Sequence, residues 1–407
     1  MRPAAANRRR PGGGRPAQML DRIGLILYAS GMQYRTLGRT GFRVSGLGLG
    51  TEYLIDIPED TATEVIRRAI DGGINYFDLF WAKPEFRSIM GRAFAGDRER
   101  VYLAAHLGST HRNGQYSVTR DPGTAAAFFE DFLERYETGY ADVLFLHNCD
   151  TREDYDSVMR PGGLKDLALE YKKSGKTRTI GFSGHTPETS LLAVQSGVAD
   201  VLMYPVNPIG HAVEARNALF VECIRRNVGI IAMKAFAGGK LFAPRKSELM
   251  KIEHTGSGER KVEGRAVLSP VQGIHYALNT LGVATVVPGC GNVDELDTDL
   301  AYFTAPEEDK DYSGVIRTLG DFPRGECVYC NHCLPCPAHI DIGSVIRLYE
   351  TAVRFGSPES ARAEYARLEV PADACTRCGA CEKRCPFGVK SLETILRAAE
   401  YFSGGGA

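Results

Sequence analysis

The chain is predicted to be an α/β protein: a (β/α)8 TIM barrel followed by a small, mainly helical domain organised by cysteines. Three observations carry this expectation. Between about residue 42 and 305, short apolar runs alternate with amphipathic stretches. Beyond that segment, eight of the eleven cysteines fall between residues 327 and 385. The length, 407 residues, is large for one ordinary domain and suits a big one with a smaller companion. The expected divisions are 1–31, 32–305 and 306–407.

Composition narrows the function classes. Forty-nine Lys and Arg stand against fifty Asp and Glu, a formal charge of −1. A chain-wide nucleic-acid or membrane-surface role would need a strong basic excess, so no nucleic-acid partner is expected. No apolar run reaches the ~18–20 residues of a membrane span. The 43% apolar content is ample for a buried core.

The first 31 residues read as a basic extension without apolar periodicity, and disorder is expected there. Arg8-Arg9-Arg10 and the short apolar Ile23–Ala29 faintly resemble an export signal, but that run is at the short limit for one. A cytoplasmic location is therefore expected.

Strands are expected at Val44–Gly50, Asn75–Asp78, Val101–His106, Asp142–His147, Thr179–Ser183, Val201–Tyr204, Gly229–Lys234 and Thr285–Pro288. Helices are expected between them, at Thr61–Asp71, Thr124–Tyr136, Glu188–Gln195, Glu214–Arg226 and Ser269–Asn279. A doubly wound sheet is the competing fold. It would want a G-x-G-x-x-G turn opening a helix, which Gly46-Leu47-Gly48-Leu49-Gly50 does not provide. In a barrel, function sits where strands end at the C-terminal face. Those ends carry Glu52, Asp78, His106, His147, Ser183, His185 and Lys234. One histidine there is more often structural; several beside carboxylates point to a site.

The cysteines form two runs. Cys375, Cys378, Cys381 and Cys385 precede Pro386 with the C-x2-C-x2-C-x3-C-P spacing of a bacterial [4Fe–4S] centre. Cys327, Cys330, Cys333 and Cys336 precede Pro337 and are one residue tighter before the last cysteine. Three thiolates two residues apart can wrap one face of a cube while the fourth ligand comes from elsewhere. By the pattern of two-cluster ferredoxins, Cys327, Cys330, Cys333 and Cys385 would hold one cube. Cys375, Cys378, Cys381 and Cys336 would hold the other. Zinc would favour separated C-x2-C pairs, and disulfides a short secreted chain, so two [4Fe–4S] clusters are the preferred reading. Helices are expected over Ile342–Phe355 and Ala361–Leu368 between the runs.

These residues resemble the aldo/keto reductase family, in its ferredoxin-bearing branch. Tyr34-Arg-Thr-Leu-Gly-Arg-Thr-Gly-Phe-Arg-Val-Ser45 looks like that family's opening, and Gly73-Ile-Asn-Tyr-Phe-Asp78, Leu144-Phe-Leu-His147 and Ile180-Gly-Phe-Ser183 follow in the family's order. So do Ile230-Ile-Ala-Met-Lys-Ala-Phe-Ala-Gly-Gly-Lys-Leu241 and Val287-Pro-Gly289. The resemblance implies an oxidoreductase with an Asp, Tyr, Lys and His tetrad and hydride delivery from NADPH. The Asp aligns with Asp78 and the His with His147. His106 stands at the Lys position, and an ungapped alignment puts Lys83 at the Tyr position. Met203 replaces the usual Gln under the nicotinamide. The stretch that would grip the cofactor's phosphate contains Asp294, Glu295, Asp297 and Asp299, which would repel it.

The combined reading is a barrel enzyme acting on a small carbonyl- or hydroxyl-bearing substrate, with electrons passed through two [4Fe–4S] clusters. Asp78, His106 and His147 would handle protons. Trp81, Lys83, Ser183, His185, Lys234 and Gly289 are candidate substrate- or cofactor-binding residues. A redox partner such as a ferredoxin, a flavodoxin or a flavoenzyme is expected. The alternatives are an NAD(P)H-dependent carbonyl reductase with NADP(H) or NAD(H) bound, a metal site built on His106 and His147, and a non-catalytic electron-transfer partner.

Overall fold

The computed structural model describes residues 26–27, 31–208, 214–239, 241–242, 268–312, 327, 333–353, 361–362, 365–385 and 388–404. The basic N-terminus, Cys330 and Pro386 lie outside the described residues, as does part of the helix expected over Ala361–Leu368.

Strands β1 (Ile26–Leu27), β2 (Gln33–Thr36) and β3 (Arg43–Ser45) form an antiparallel sheet. Residues 26–27 thus pair with β2, although they belong to the extension expected to be disordered. Leu37, Phe42 and Val44 from the β2–β3 hairpin join the barrel's inward core with Tyr76, Ala104 and Val143. They plug it beneath the strands' N-terminal ends, where Phe42 stacks on Tyr102.

The barrel itself begins with β4 (Leu49–Gly50), β5 (Tyr76–Leu79) and β6 (Tyr102–Leu107). An antiparallel hairpin, β7 (Ser109–Arg112) and β8 (Gln115–Val118), follows outside the sheet. The sheet resumes with β9 (Ala141–Leu146), β10 (Thr177–Ser183), β11 (Val201–Pro205), β12 (Gly229–Met233) and β13 (Val283–Val287). Neighbouring strands are parallel throughout, in the order β13-β12-β11-β10-β9-β6-β5-β4. The ring closes where Gly48 and Gly50 donate their amides to Val286 and Pro288, both at 2.8 Å. The expected strand over Val44–Gly50 is therefore two strands. Its first half belongs to the hairpin, and the chain crosses at Gly46–Gly48 into the barrel.

Strand alternation sorts the side chains. Phe77, Leu103, Leu144 and Ile180 face the helices, while Tyr76, Ala104, Val143, Phe145, Val201 and Ile231 fill the interior. Continued to the C-terminal end, that inward set reaches Asp78, His106, His147 and Ser183. Gly181 makes room for it: a Cβ there would lie 2.3 Å from the Phe145 ring, whose centroid is 4.9 Å from that of His106.

The helices are amphipathic in the expected manner. Helix α1 (Glu59–Asp71) opens with two acids and buries Ala62, Val65, Ile66, Ala69 and Ile70, one stripe at helical spacing. Next come α2 (Pro84–Ala93), α3 (Pro122–Arg135), α4 (Arg152–Met159), α5 (Leu164–Ser174), α6 (Pro187–Ser196) and α7 (Glu214–Arg225). Asp121 caps α3 by accepting from the Thr124 amide. Helix α8 (Pro270–Asn279) opens on a capping box of Ser269 and Gln272. Helix α9 (Val293–Leu300) is capped by Asn292. The C-terminal region contains α10 (Ile342–Val353), α11 (Ala380–Arg384) and α12 (Ser391–Ser403). Tyr365 stacks on Phe402 at 3.9 Å, joining the chain before α11 to the end of α12.

Candidate active site and cysteine loops

A cavity of about 350 Å³ opens at the C-terminal ends of the strands. Asp78, His106, His147, Ser183, His185, Lys234 and Gly289 line it, and so do Tyr116, Phe80, Glu52 and Glu295. Seven candidates from separate strands and loops therefore share one mouth. Two others do not reach it. Lys83 points to the surface and pairs with Asp56 at 2.9 Å. Trp81 is buried behind Phe80, stacked on it at 5.1 Å, and its indole nitrogen has no hydrogen-bond partner among the described residues. Both differences have one cause: β5 ends at Leu79, and the chain then turns towards α2, which starts at Pro84.

The polar groups form a chain of hydrogen bonds. Nε2 of His106 lies 2.8 Å from Oδ1 of Asp78. Nδ1 of His106 lies 2.7 Å from Nδ1 of His147, and Nε2 of His147 lies 2.6 Å from the Tyr116 hydroxyl. All four ring nitrogens thus face protein partners, which is the geometry of a proton relay and not of a metal-ligand set. Phe80 covers the relay, its centroid 6.1 Å from that of His106 and 6.0 Å from that of His147. The backbone beneath is fixed too: Arg120 donates to the His147 carbonyl at 2.9 Å and pairs with Asp154.

Around the relay, Asp150 accepts from the backbone and ring of His185, the ring contact being 3.0 Å. Burial raises the Glu52 carboxyl above its ordinary range; Lys234 opposes the rise and Asp78 adds to it. Burial likewise pushes the Cys149 thiol up to about 12, as expected of an inert core cysteine. At the start of α9, Glu295 accepts from the Gly291 amide at 2.8 Å, and Asn292 accepts from the Glu295 amide at 2.9 Å. These helix-terminal amides are satisfied internally, and a carboxylate stands on the cavity wall.

Tyr116 is the residue that sequence reasoning missed. Its signal was present, because Asn113-Gly114 between β-prone residues is a strong two-residue hairpin mark. Both residues have positive φ, 52° and 74°, as a type I′ turn requires. That turn returns the chain to the mouth just after His106.

In the C-terminal region, Cys336, Cys375, Cys378 and Cys381 line a second cavity, together with Cys333 and the apolar Ile340, Ile342, Leu392 and Ile395. Arg384 donates to the carbonyls of Cys333 and Pro335, both at 2.7 Å, so the second cysteine run clasps the first. Arg377 and Gly379 have φ of 57° and 69°, turning amides inward. The backbone amide of Arg377 donates to the Cys375 sulfur at 3.4 Å, and the Ala380 amide lowers the Cys378 thiol. Burial raises Cys381.

Residues 46–316 match the aldo/keto reductase family. The chain belongs to that family. Residues 326–390 match a 4Fe–4S dicluster domain, so the chain is an oxidoreductase of aldo/keto reductase type with an iron–sulfur domain. It is 25% identical over 300 residues to L-galactose dehydrogenase of Arabidopsis thaliana, covering 68% of this chain and 89% of that one. It is also 25% identical over 175 residues to L-glyceraldehyde 3-phosphate reductase of Escherichia coli, covering 40% of this chain and 49% of that one. In the latter case the match spans about half of the relative. An aldo-keto reductase from Bacillus halodurans in holo form shares the fold, with a TM-score of 0.55 and 20% identity over 71% of this chain and 96% of that one. Among the described residues, no helix is long and apolar enough to cross a membrane.

Proposed function

We propose that this protein interconverts a small carbonyl or hydroxyl compound at the barrel mouth and exchanges the electrons through two [4Fe–4S] clusters. The observation that carries this reading is the buried Asp78–His106–His147 chain facing a cavity of substrate size. Asp78 fixes the His106 ring, His106 fixes His147, and together they hold or release one proton at the mouth. Ser183, His185 and Lys234 are placed to bind and orient polar groups of the substrate, and Phe80 excludes water from the relay.

The cysteines fit the group proposed for them. Cys336, Cys375, Cys378 and Cys381, the set that the crossed two-cluster pattern would use, line one cavity together with Cys333. Cys327, Cys330, Cys333 and Cys385 would hold the second cluster. Such clusters supply one electron at a time. A ferredoxin, flavodoxin or flavoenzyme would serve as the partner.

The residues fit NADP(H) poorly. Met203 offers no amide to a nicotinamide carboxamide. Glu295 lies on the cavity wall at the α9 N-terminus, where a phosphate would meet its charge; of the other acids expected to repel it, Asp297 pairs with Arg68 at 2.6 Å and Asp299 is buried away from the cavity.

The test is anaerobic purification with iron and sulfide quantified, then titration with NADPH, NADH and a reduced ferredoxin while cluster absorbance is followed. About eight irons per chain, reduced by the ferredoxin and by neither nucleotide, is the expected result. Tight nucleotide binding with nucleotide-dependent aldehyde reduction would replace this reading with an ordinary carbonyl reductase. Iron-free protein would remove the electron route.

A further inference from the structure

We infer that Tyr116 is the group that exchanges a proton with the substrate oxygen, carried on a hairpin that Gln115 tethers to the cysteine loop. The inference rests on the function proposed above and adds a residue outside the family positions. Lys83, at the sequence position of the family's tyrosine, is at the surface with Asp56. A buried phenol at the mouth comes instead from β8.

Consecutive residues of a strand face opposite ways, and β8 uses both faces. Tyr116 points into the barrel mouth, where it is 3% exposed and 2.6 Å from His147. Gln115 points to the C-terminal region. Its side-chain oxygen accepts from the Cys336 amide at 3.1 Å, its nitrogen donates to the Cys336 carbonyl at 3.3 Å, and that nitrogen lies 2.6 Å from Nδ1 of His339. One short hairpin therefore connects the proton relay to the backbone of a cysteine proposed as a cluster ligand. The Asn113-Gly114 turn sets its register.

The relay's polarity follows from its anchored end. With the Asp78 carboxylate accepting from Nε2–H of His106, Nδ1 of His106 accepts from Nδ1–H of His147. Nε2 of His147 then accepts from the Tyr116 hydroxyl. In this neutral state the phenol oxygen, on the cavity wall, can accept from a substrate hydroxyl. When a substrate hydroxyl is oxidised, its proton goes to the Tyr116 oxygen. Tyr116 passes its own proton to Nε2 of His147, and His147 passes its Nδ1 proton to His106. One proton leaves the substrate and one is gained at His106, which becomes an imidazolium beside Asp78. Oxidation also removes the carbon-bound hydrogen as a second proton and two electrons, and [4Fe–4S] clusters held by the cysteines would be the electron acceptor. Carbonyl reduction runs the same path backwards.

The experiment uses the full-length, cluster-loaded protein with two readouts. Without substrate, nitrogen-15 spectra of the histidines report the tautomers. His106 protonated at Nε2 and His147 at Nδ1 is expected, with the His147 Nε2 signal moving in Tyr116→Phe. An unmoved signal overturns the relay. With a panel of small hydroxy and carbonyl compounds, Tyr116→Phe should lower kcat by roughly 10²–10⁴-fold and flatten its pH profile, with KM changed less than about threefold. Gln115→Met should lower kcat by about tenfold and leave the pH profile in place, the signature of a positioning residue. Retention of kcat and profile in Tyr116→Phe overturns the assignment. Should that variant not fold, 3-fluorotyrosine at position 116 is expected to move the profile to lower pH, and an unmoved profile overturns the assignment equally. If the wild type turns over nothing on the panel, the function proposed above fails, and the histidine spectra alone still decide the relay.

Discussion

Each end of the barrel buries a carboxylate on a strand, and the two are surrounded in opposite ways. Near the N-terminal end Asp142 meets Arg98 at 2.9 Å, Arg178 at 2.7 Å and the Leu103 amide at 2.9 Å. At the mouth, Asp78 meets the His106 ring at 2.8 Å. Guanidinium groups are permanent, fork-shaped donors, so Asp142 is held on two sides and ties β9 to its neighbours. An imidazole can donate or accept through either ring nitrogen, so the same residue type at the mouth anchors a group that can pass a proton on. One end of the fold is saturated for stability, and the other ends on a chain of groups suited to moving a proton.

Substitutions at the saturated end should be the most damaging to stability. Asp142→Ala leaves the buried Leu103 amide without its acceptor and removes the partner of the more exposed Arg98 and Arg178, and is expected to cost on the order of 1–3 kcal/mol in urea unfolding. Turnover per folded molecule should be unchanged. A loss below about 1 kcal/mol would show that the network is not what holds this end. At the mouth the pattern should invert. Asp78→Asn is expected to lower kcat by roughly 10²-fold or more, about 2.7 kcal/mol of barrier, with little movement of the unfolding midpoint. Equal losses in activity and stability would erase the contrast.

A third buried carboxylate sharpens it. Asp299 is 4% exposed, and burial, with Glu295 nearby, raises its carboxyl to about 8. The folded state holds this proton more tightly than the unfolded chain, whose carboxyl titrates near 4. Its contribution is therefore fully present below pH 4 and lost as pH rises to 8. Asp299→Asn should flatten that slope and raise stability at pH 8 by on the order of 1–3 kcal/mol, after the new amide's own burial is subtracted. A variant whose stability falls with pH as steeply as the parent's would overturn the assignment. The smallest effect is expected at Lys83→Ala: about 0.5 kcal/mol or less from its exposed pair with Asp56, and turnover within about twofold. A tenfold loss of turnover would return Lys83 to the site.

The barrel was legible because alternation and helical spacing are local properties of the chain. Asp78, His106 and His147 could be found for the same reason, each closing a strand whose earlier residues alternate inward. Trp81 and Lys83 lie past the end of β5, where the pleat no longer governs direction, and the loop carries them away. Tyr116 needed a different kind of inference, since its place depends on a turn folding β8 back over the mouth. The Asn113-Gly114 signal was available; the consequence for Tyr116 lay in three dimensions. The Arg384 and Gln115 contacts across separate regions have no local signature at all.

The seam between β4 and β13 has a kinetic consequence. β4 has two residues, against six and seven in β9 and β10, and its join to β13 consists of isolated bridges. Transient opening is therefore easiest along this line, at a free energy below that of global unfolding. Gly50 and Gly289 lie on both the seam and the cavity wall, so such an opening widens the substrate's entrance without disturbing His106 or His147. Hydrogen exchange should deprotect the amides of Gly48 and Gly50 well before those of Leu144 and Ile180; equal protection would mean that the ring opens only when the whole barrel does.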